Sequence, residues 1–383
     1  MLNFKKIFSW GAPSGRASYA GNFRQQAKFS CLPPQLCFKS APLVPRGCGL
    51  SAATVKPSSR LLTIKMNSII PHPLTPASKL LYLGVAFLCL VFTACSNKAY
   101  LFTSFHEPAT DGLRMLYSYD GYKWKDTDTV LLKPEIGNQK VMRDPSMVQG
   151  PDGTYHLVWT TSWRGDKGFG YASSKDLVNW SAQKMLPVMQ HEPTTVNVWA
   201  PELFYDDEGK QFVMIWASCI PGRFERGIEA DSNNHRMYVT TTKDFETFTP
   251  TQLFLDPGFS VIDAVIVKRA KADYVLVLKD NTRPERNMKV AFSDSPLGPW
   301  KNVSGKPFTE NFTEGPSVVK PGKEWLIYYD SYDKKIYDAH STTDFVNFKH
   351  ITNSVNVPQG HKHGTIVPVT KKQVKNFLKL VKK

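Results

Sequence analysis

Acidic residues are missing from the first quarter of this chain. The first of its 33 Asp+Glu is Glu107, whereas 12 of its 48 Lys+Arg come earlier. Beyond that point 36 basic residues face 33 acidic ones, so the formal net charge of +15 belongs mostly to the leader. It gives no reason to expect nucleic acid or membrane binding by the rest. Cysteine is scarce in the same region. Cys31, Cys37, Cys48, Cys89 and Cys95 lie in the leader, and only Cys219 lies beyond it. A lone cysteine excludes an internal disulfide, and no zinc-type spacing is present, so no metal site is expected. Cys219 closes the strand-like FVMIWAS and reads as a small buried apolar residue.

A membrane-length apolar run is also lacking. Residues 80–94, LLYLGVAFLCLVFTA, number 15, too few to span comfortably but suited to a signal-peptide core. Lys79 precedes the run and Thr93-Ala94-Cys95-Ser96 ends it, which resembles a bacterial lipoprotein signal, with Phe92 where Leu is commoner. Cleavage there would free Cys95 for lipid attachment and make the protein an exported, periplasmic or cell-surface lipoprotein of a bacterium. Plain secretion is the alternative. Met66 opens a self-sufficient export signal, so residues 1–65 read as upstream or non-structural sequence, with an organelle transit peptide as the rival reading. Residues 1–98 are thus a leader.

What the remainder does have is repetition. Five similar phrases close on an aromatic: YSYDGYKW at Trp124, ASSKDLVNW at Trp180, TTKDFETF at Phe248, AFSDSPLGPW at Trp300 and HSTTDFVNF at Phe348. These anchors are 56, 68, 52 and 48 residues apart, the period of β-propeller blades. Each unit opens with a strand that would line the central channel: 141–149, 197–205, 260–268, 312–320 and 362–370. The turns GPDG, DDEG, RAKAD and PGKE follow the first four, and then come strands rich in Val, Ile, Tyr, Trp and Phe. The fifth opening strand has no partner after it, and the outer-strand material of 99–130 has none before it. Joining the two closes the ring and removes two sheet edges. The expected fold is therefore all-β: a five-bladed β-propeller over 99–370, closed between N- and C-terminal strands. At its end, 371–383 forms a short basic helix whose Val374, Phe377, Leu378 and Val381 recur at helical spacing. Packing over the propeller is the expected role of that helix, with membrane-surface binding as the alternative.

Three opening strands carry an acid near the same point: Asp144 in MRDPS, Asp263 in VIDAV and Glu314 in TEGPS. The second strand has Ala200 there and the fifth has His363. Acids lining a channel cost desolvation energy unless they are used or paired. Glycosidic hydrolysis uses two carboxyl groups in opposite protonation states, and a third can tune the donor. Metal ligation competes, but no ligand loop is present. A purely structural use would pair the acids with Arg143 or Lys268. Aligning Pro-Ser places Glu314 one residue earlier than Asp144, which a bulge at Gly315 would correct.

At these residues the chain resembles glycoside hydrolase family 43, five-bladed propellers acting on arabinose- and xylose-containing glycans. The likeness covers roughly residues 100–370 and rests on RDPS, WAPEL, VIDA, TEGPS and His-Gly-Thr in that order. It implies an inverting hydrolase in which Asp144 is the general base, Asp263 tunes and orients the acid, and Glu314 is the general acid. Galactofuranose-containing substrates are included. It also implies that His363 holds a water or structural cation at the axis, with no cofactor required. Trp199, Trp163, Trp216 and Arg283 are the candidates for binding sugar, core or loop packing being the competing role of each. His106, His191 and His235 fall in loops and carry no assignment. An oligosaccharide or polysaccharide is the expected partner of a monomer whose only membrane contact is a lipid on Cys95. A retaining fructan-type hydrolase and a non-catalytic glycan-binding propeller are the alternatives.

Overall fold

The computed structural model describes residues 97–382 apart from 285 and 304. Residues 1–96, with the signal-like run and Cys95, lie outside the described residues, and Lys98, the last residue of the expected leader, begins a strand. Strands β1 (Lys98–Ser104), β2 (Arg114–Ser118) and β3 (Lys125–Asp126) come first and lack an innermost strand from their own segment. Blade I follows as β4 (Arg143–Gln149), β5 (Tyr155–Thr160), β6 (Phe169–Ser174) and β7 (Lys184–Leu186). Blade II is β8 (Val198–Asp206), β9 (Gln211–Cys219), β10 (His235–Thr242) and β11 (Gln252–Leu255). Blade III has three strands, β12 (Val261–Ala270), β13 (Asp273–Asp280) and β14 (Asn287–Ser293), with only a bridge from Phe292 to Lys301 outside them. Blade IV is β15 (Thr313–Val319), β16 (Trp325–Ser331), β17 (Ile336–Thr342) and β18 (Phe348–His350). Last comes β19 (Ile366–Thr370), which pairs antiparallel with β1 and completes blade V in the order β19-β1-β2-β3. The five-bladed β-propeller closes where the two unpartnered segments of the sequence required.

Propeller strands are packed on both faces, so their apolar residues run nearly without interruption. The core accordingly divides into five seams, one between each pair of neighbouring blades. Trp159 and Leu101 share the seam between V and I, and Tyr328 and Phe102 that between IV and V. Trp216, offered above as a sugar-binding residue, is fully buried in the seam between I and II, against Phe169. Its aromatic neighbours on adjacent strands hold it there, and it does not reach the channel. Helix α1 (Lys371–Val381) starts from a Thr370/Gln373 capping box and buries Val374 and Phe377 in the V–I seam. It packs on the ring as expected.

The closing phrases are turns. Ser118, Ser174, Thr242 and Thr342 accept the backbone N–H of Gly121, Leu177, Phe245 and Phe345 at 2.8–2.9 Å. The Asp two residues after each hydroxyl accepts two further N–H groups. Ser/Thr-x-Asp is thus the outer-edge reversal of four blades, and the aromatics after it fill seams. SDSPLGPW in blade III departs from the pattern: among the described residues Ser293 accepts the Ser295 N–H alone.

Opening strands start with a shared irregularity. The ladders skip between Arg143 and Ser146, Trp199 and Glu202, Ile262 and Val265, and Glu314 and Ser317. At each skip one residue is left-handed: Asp144 (φ 51°), Ala200 (45°), Asp263 (50°) and Gly315 (61°). A bulge of this kind re-aims side chains at a rim, and Asp tolerates the conformation better than most residues. The bulge expected at Gly315 alone is therefore common to four blades. Gly315 occupies the position of Asp144, and Glu314 that of Arg143.

At the closure, Thr103 and Thr365 exchange backbone and hydroxyl hydrogen bonds, and a Cβ on Gly364 would lie 1.8 Å from the Thr103 carbonyl oxygen. Gly364→Ala should therefore force β1 and β19 apart and lower stability by about 1–3 kcal/mol, the range for overpacking. Urea denaturation of the full chain checks this, with an unchanged midpoint as the contrary result.

Candidate active site

All four bulges lie at one end of the ring, because every opening strand runs away from that end. There Asp144 (blade I), Asp263 (III), Glu314 (IV) and His363 (before β19) line a single pocket of about 250 Å³. Blade II supplies backbone instead of an acid. The Ala200 N–H donates to Thr160 Oγ1 (2.8 Å), which in turn donates to Asp144 Oδ2 (2.8 Å). The other oxygen, Asp144 Oδ1, is 3.2 Å from His363 Nδ1. Asp263 is buried and accepts the Gly315 N–H at 3.2 Å. Gly315 is required twice over: its φ is left-handed, and a Cβ there would meet the His363 ring at 2.5 Å.

Lys279 on β13, which the sequence reading overlooked, donates to Glu314 Oε2 at 2.7 Å and is itself buried. A lysine near the end of the apolar strand DYVLVLKD was the available signal. Lys268 is instead on the outside, paired with Asp207 and Glu208. Arg143 binds Glu107 at 2.6 Å and lies 4.0 Å over the face of Trp163.

Burial and charge then sort the acids. Burial would raise Asp144, but its hydrogen bond to His363 and the charges of His363 and Arg143 outweigh this and hold it below the usual carboxylate range. Burial raises Asp263, only partly offset by His363 and Lys279. Glu314 is also pushed up by burial, yet the ammonium of Lys279 brings it below its ordinary value. His363 is pushed up to about 9: burial lowers it, and the hydrogen bond to Asp144 with the charges of Asp263, Asp144 and Glu314 overcomes that. At neutral pH the imidazole is therefore itself a cation among three carboxyl groups. Deeper in the channel Glu202, whose Oε2 accepts from Thr365 Oγ1 at 3.0 Å, is raised by burial to about 7. This acid of WAPEL was visible in the sequence and went unassigned.

Of the expected sugar contacts, Trp163 and Trp199 line the pocket, edge to face at 5.9 Å, with Trp163 46% exposed. Arg283 does not. It clamps the buried Glu229, its N–H 2.6 Å from Oε1, because the intervening turn carries Arg286 to the pocket in its place. Arg286 Nε and Tyr332 Oη are buried without a hydrogen-bond partner among the described residues, and both residues line the pocket. His235 begins β10, fully buried and stacked at 4.8 Å on Trp199, so it supports the pocket wall and is not in a loop.

A family model for glycosyl hydrolases related to family 43, described as "Probable glycosyl hydrolase domain", matches residues 96–375. Among solved structures the chain is similar to an endo-1,4-β-xylanase from Bacteroides thetaiotaomicron, at 14% identity over 70% of this chain and 94% of that one, TM-score 0.49. It is similar to an α-L-arabinofuranosidase from Clostridium thermocellum, at 16% identity over 69% and 93%, TM-score 0.47. A third is an α-L-arabinanase from Cellvibrio cellulosa, at 15% identity over 67% and 87%, TM-score 0.44. No curated protein matches the chain.

The imidazolium at the centre has a measurable consequence. A folded-state pKa of about 9 against an ordinary 6.5 means that His363 contributes stability fully below pH 6.5 and loses it as pH rises through 9. The melting midpoint should fall across that window. In His363→Gln it should start lower at pH 6 and fall less across that window, the remaining slope coming from Glu202, and parallel curves for the two proteins would contradict the charge assignment.

Proposed function

The chain belongs to the glycosyl hydrolases related to family 43, and on that footing we propose that its pocket hydrolyses the terminal glycosidic bond of an arabinose-, xylose- or galactofuranose-containing glycan with inversion. The observation that carries this is the meeting of three carboxyl groups from three blades in one pocket, one of them, Asp144, held ionised. At about 250 Å³ the pocket is smaller than the roughly 300–1,000 Å³ of drug-sized sites, which suits one sugar ring.

In this reading Asp144 takes a proton from water as that water attacks the anomeric carbon. Thr160 and His363 fix the orientation of its two oxygens. Glu314 gives its proton to the leaving oxygen. Lys279 opposes that role by stabilising the Glu314 carboxylate, while Asp263 keeps its proton to higher pH. A sugar hydroxyl that engages the Lys279 ammonium weakens the pair, and burial with the nearby Asp144 charge then favours a protonated Glu314. Arg286 Nε and Tyr332 Oη supply hydrogen bonds to ring hydroxyls, and Trp163 with Trp199 stacks on the sugar. Because His363 carries its own charge, a water suits its neighbourhood better than a metal cation. Export and a lipid on Cys95 complete the proposal, on the leader sequence alone.

Asp144→Asn should reduce turnover by about 10²–10⁴-fold with the fold intact by circular dichroism. Glu314→Gln should do the same on an oligosaccharide, and much less on a nitrophenyl glycoside, whose leaving group needs little protonation. A screen of nitrophenyl arabinofuranoside, xyloside and galactofuranoside identifies the sugar, and proton NMR of the first-formed anomer reads the stereochemistry. A retained anomer would replace this mechanism with the fructan type, and absence of turnover on every substrate would favour a glycan-binding propeller.

Lys279→Met tests the acid. Removing the ammonium raises the Glu314 pKa, so the limb of kcat/KM lost with rising pH should move to higher pH. A limb that stays in place would assign the proton donor elsewhere.

A further inference from the structure

One cluster in blade V takes no part in the chemistry above. His106 follows β1, Asp126 ends β3 and His361 precedes β19, so the three flank the ring closure from both ends of the propeller sequence. One nitrogen of each imidazole and one oxygen of Asp126 lie within 4.8 Å of one another. His361 Nε2 is 2.9 Å from Asp126 Oδ2, and its Nδ1 is 2.9 Å from Ser104 Oγ. Ser104 Oγ also lies 3.3 Å from the Phe105 carbonyl. The hydroxyl can therefore donate to that carbonyl while accepting from Nδ1–H, a tautomer that turns the Nε2 lone pair toward the carboxylate. In that tautomer two acceptors face each other and a cation held by both satisfies them, whereas in the other Nε2–H donates to Asp126.

His106 supplies the independent observation. Its ring meets that of His361 edge to face at 4.5 Å, yet its Nε2 is buried with no hydrogen-bond partner among the described residues. A buried polar atom left without a partner costs about 1–3 kcal/mol, and a lone pair aimed at a metal removes the cost.

We propose that His106, Asp126 and His361 bind a divalent first-row transition metal, with zinc the leading candidate. Two imidazole nitrogens and one carboxylate oxygen are the donor set of three-ligand zinc sites, whereas calcium and magnesium select oxygen. Ser104 is the outer partner that orients His361. Both histidines line a cavity of about 750 Å³ between blades IV and V, which gives an ion a path to them. The ion ties Asp126 to His361 across a sequence separation of 235 residues, which makes it a staple on the closure made by β1 and β19. Ligand spacing so wide is invisible to a search for local metal motifs.

The test uses the full chain, stripped with chelator and equilibrated with zinc by dialysis. One site-specific ion per chain is expected. At a hundredfold excess over Kd the melting midpoint should rise by about 5–10 °C. Cobalt substitution should give the visible absorption of a low-coordinate nitrogen and oxygen site. His106→Gln should weaken binding at least tenfold and abolish the zinc-induced rise of the midpoint, whatever its own metal-free midpoint is. Asp126→Asn, which preserves a hydrogen bond to His361, should also weaken binding. Equal zinc uptake by the wild type and His106→Gln would place the ion elsewhere, for example on the leader cysteines, and overturn the proposal. So would no uptake at all. Neither result bears on hydrolysis, which is assayed separately.

Discussion

Three carboxyl groups share one poorly solvated pocket with His363, whose imidazole they push up to about 9. Burial raises Asp263, whereas at Asp144 the same burial is outweighed by His363, Arg143 and the Thr160 hydroxyl. Asp144 is thereby held ionised while Asp263 keeps its proton longer. Lys279 makes a second, local correction at Glu314. The pocket is therefore an arrangement of cations as much as of acids, and its asymmetry comes from where His363, Arg143 and Lys279 touch.

The scaffold makes that arrangement possible by keeping its apolar surface away from the axis. Five seams between blades hold the core, so the inner rim is free for polar groups. The recurring bulge then decides which side chains face the pocket. Where the left-handed residue is Asp, as at 144 and 263, it provides the acid itself. Where it is Gly315, the preceding Glu314 does so, and the missing side chain makes room for the His363 ring. One backbone device thus serves two geometries.

Much of this was legible in the chain. The spacing of the closing aromatics and the two unpartnered segments led to five blades and to the β1–β19 closure. Asp144, Asp263, Glu314, His363, Trp163 and Trp199 do meet at one mouth. What was not legible depends on rotation about the chain over one to three residues. Trp216 and Trp199 are both strand aromatics, and only seam packing separates them. Arg283 and Arg286 are three residues apart in one loop, and the turn between them exchanges their roles. Lys279 and Glu202 were charged residues inside apolar strands, a signal that local periodicity raises but cannot aim. His106, Asp126 and His361 converge only through ring closure, which no local pattern encodes.

Closure also orders events in time. The innermost strand of blade V, β19, is translated after every other strand, yet it is the one that seats His363 at the rim. A growing chain can hold all its acids and four blades while the fifth remains an open sheet. The rim that holds the acids is therefore complete only after the last strand of the ring has been made.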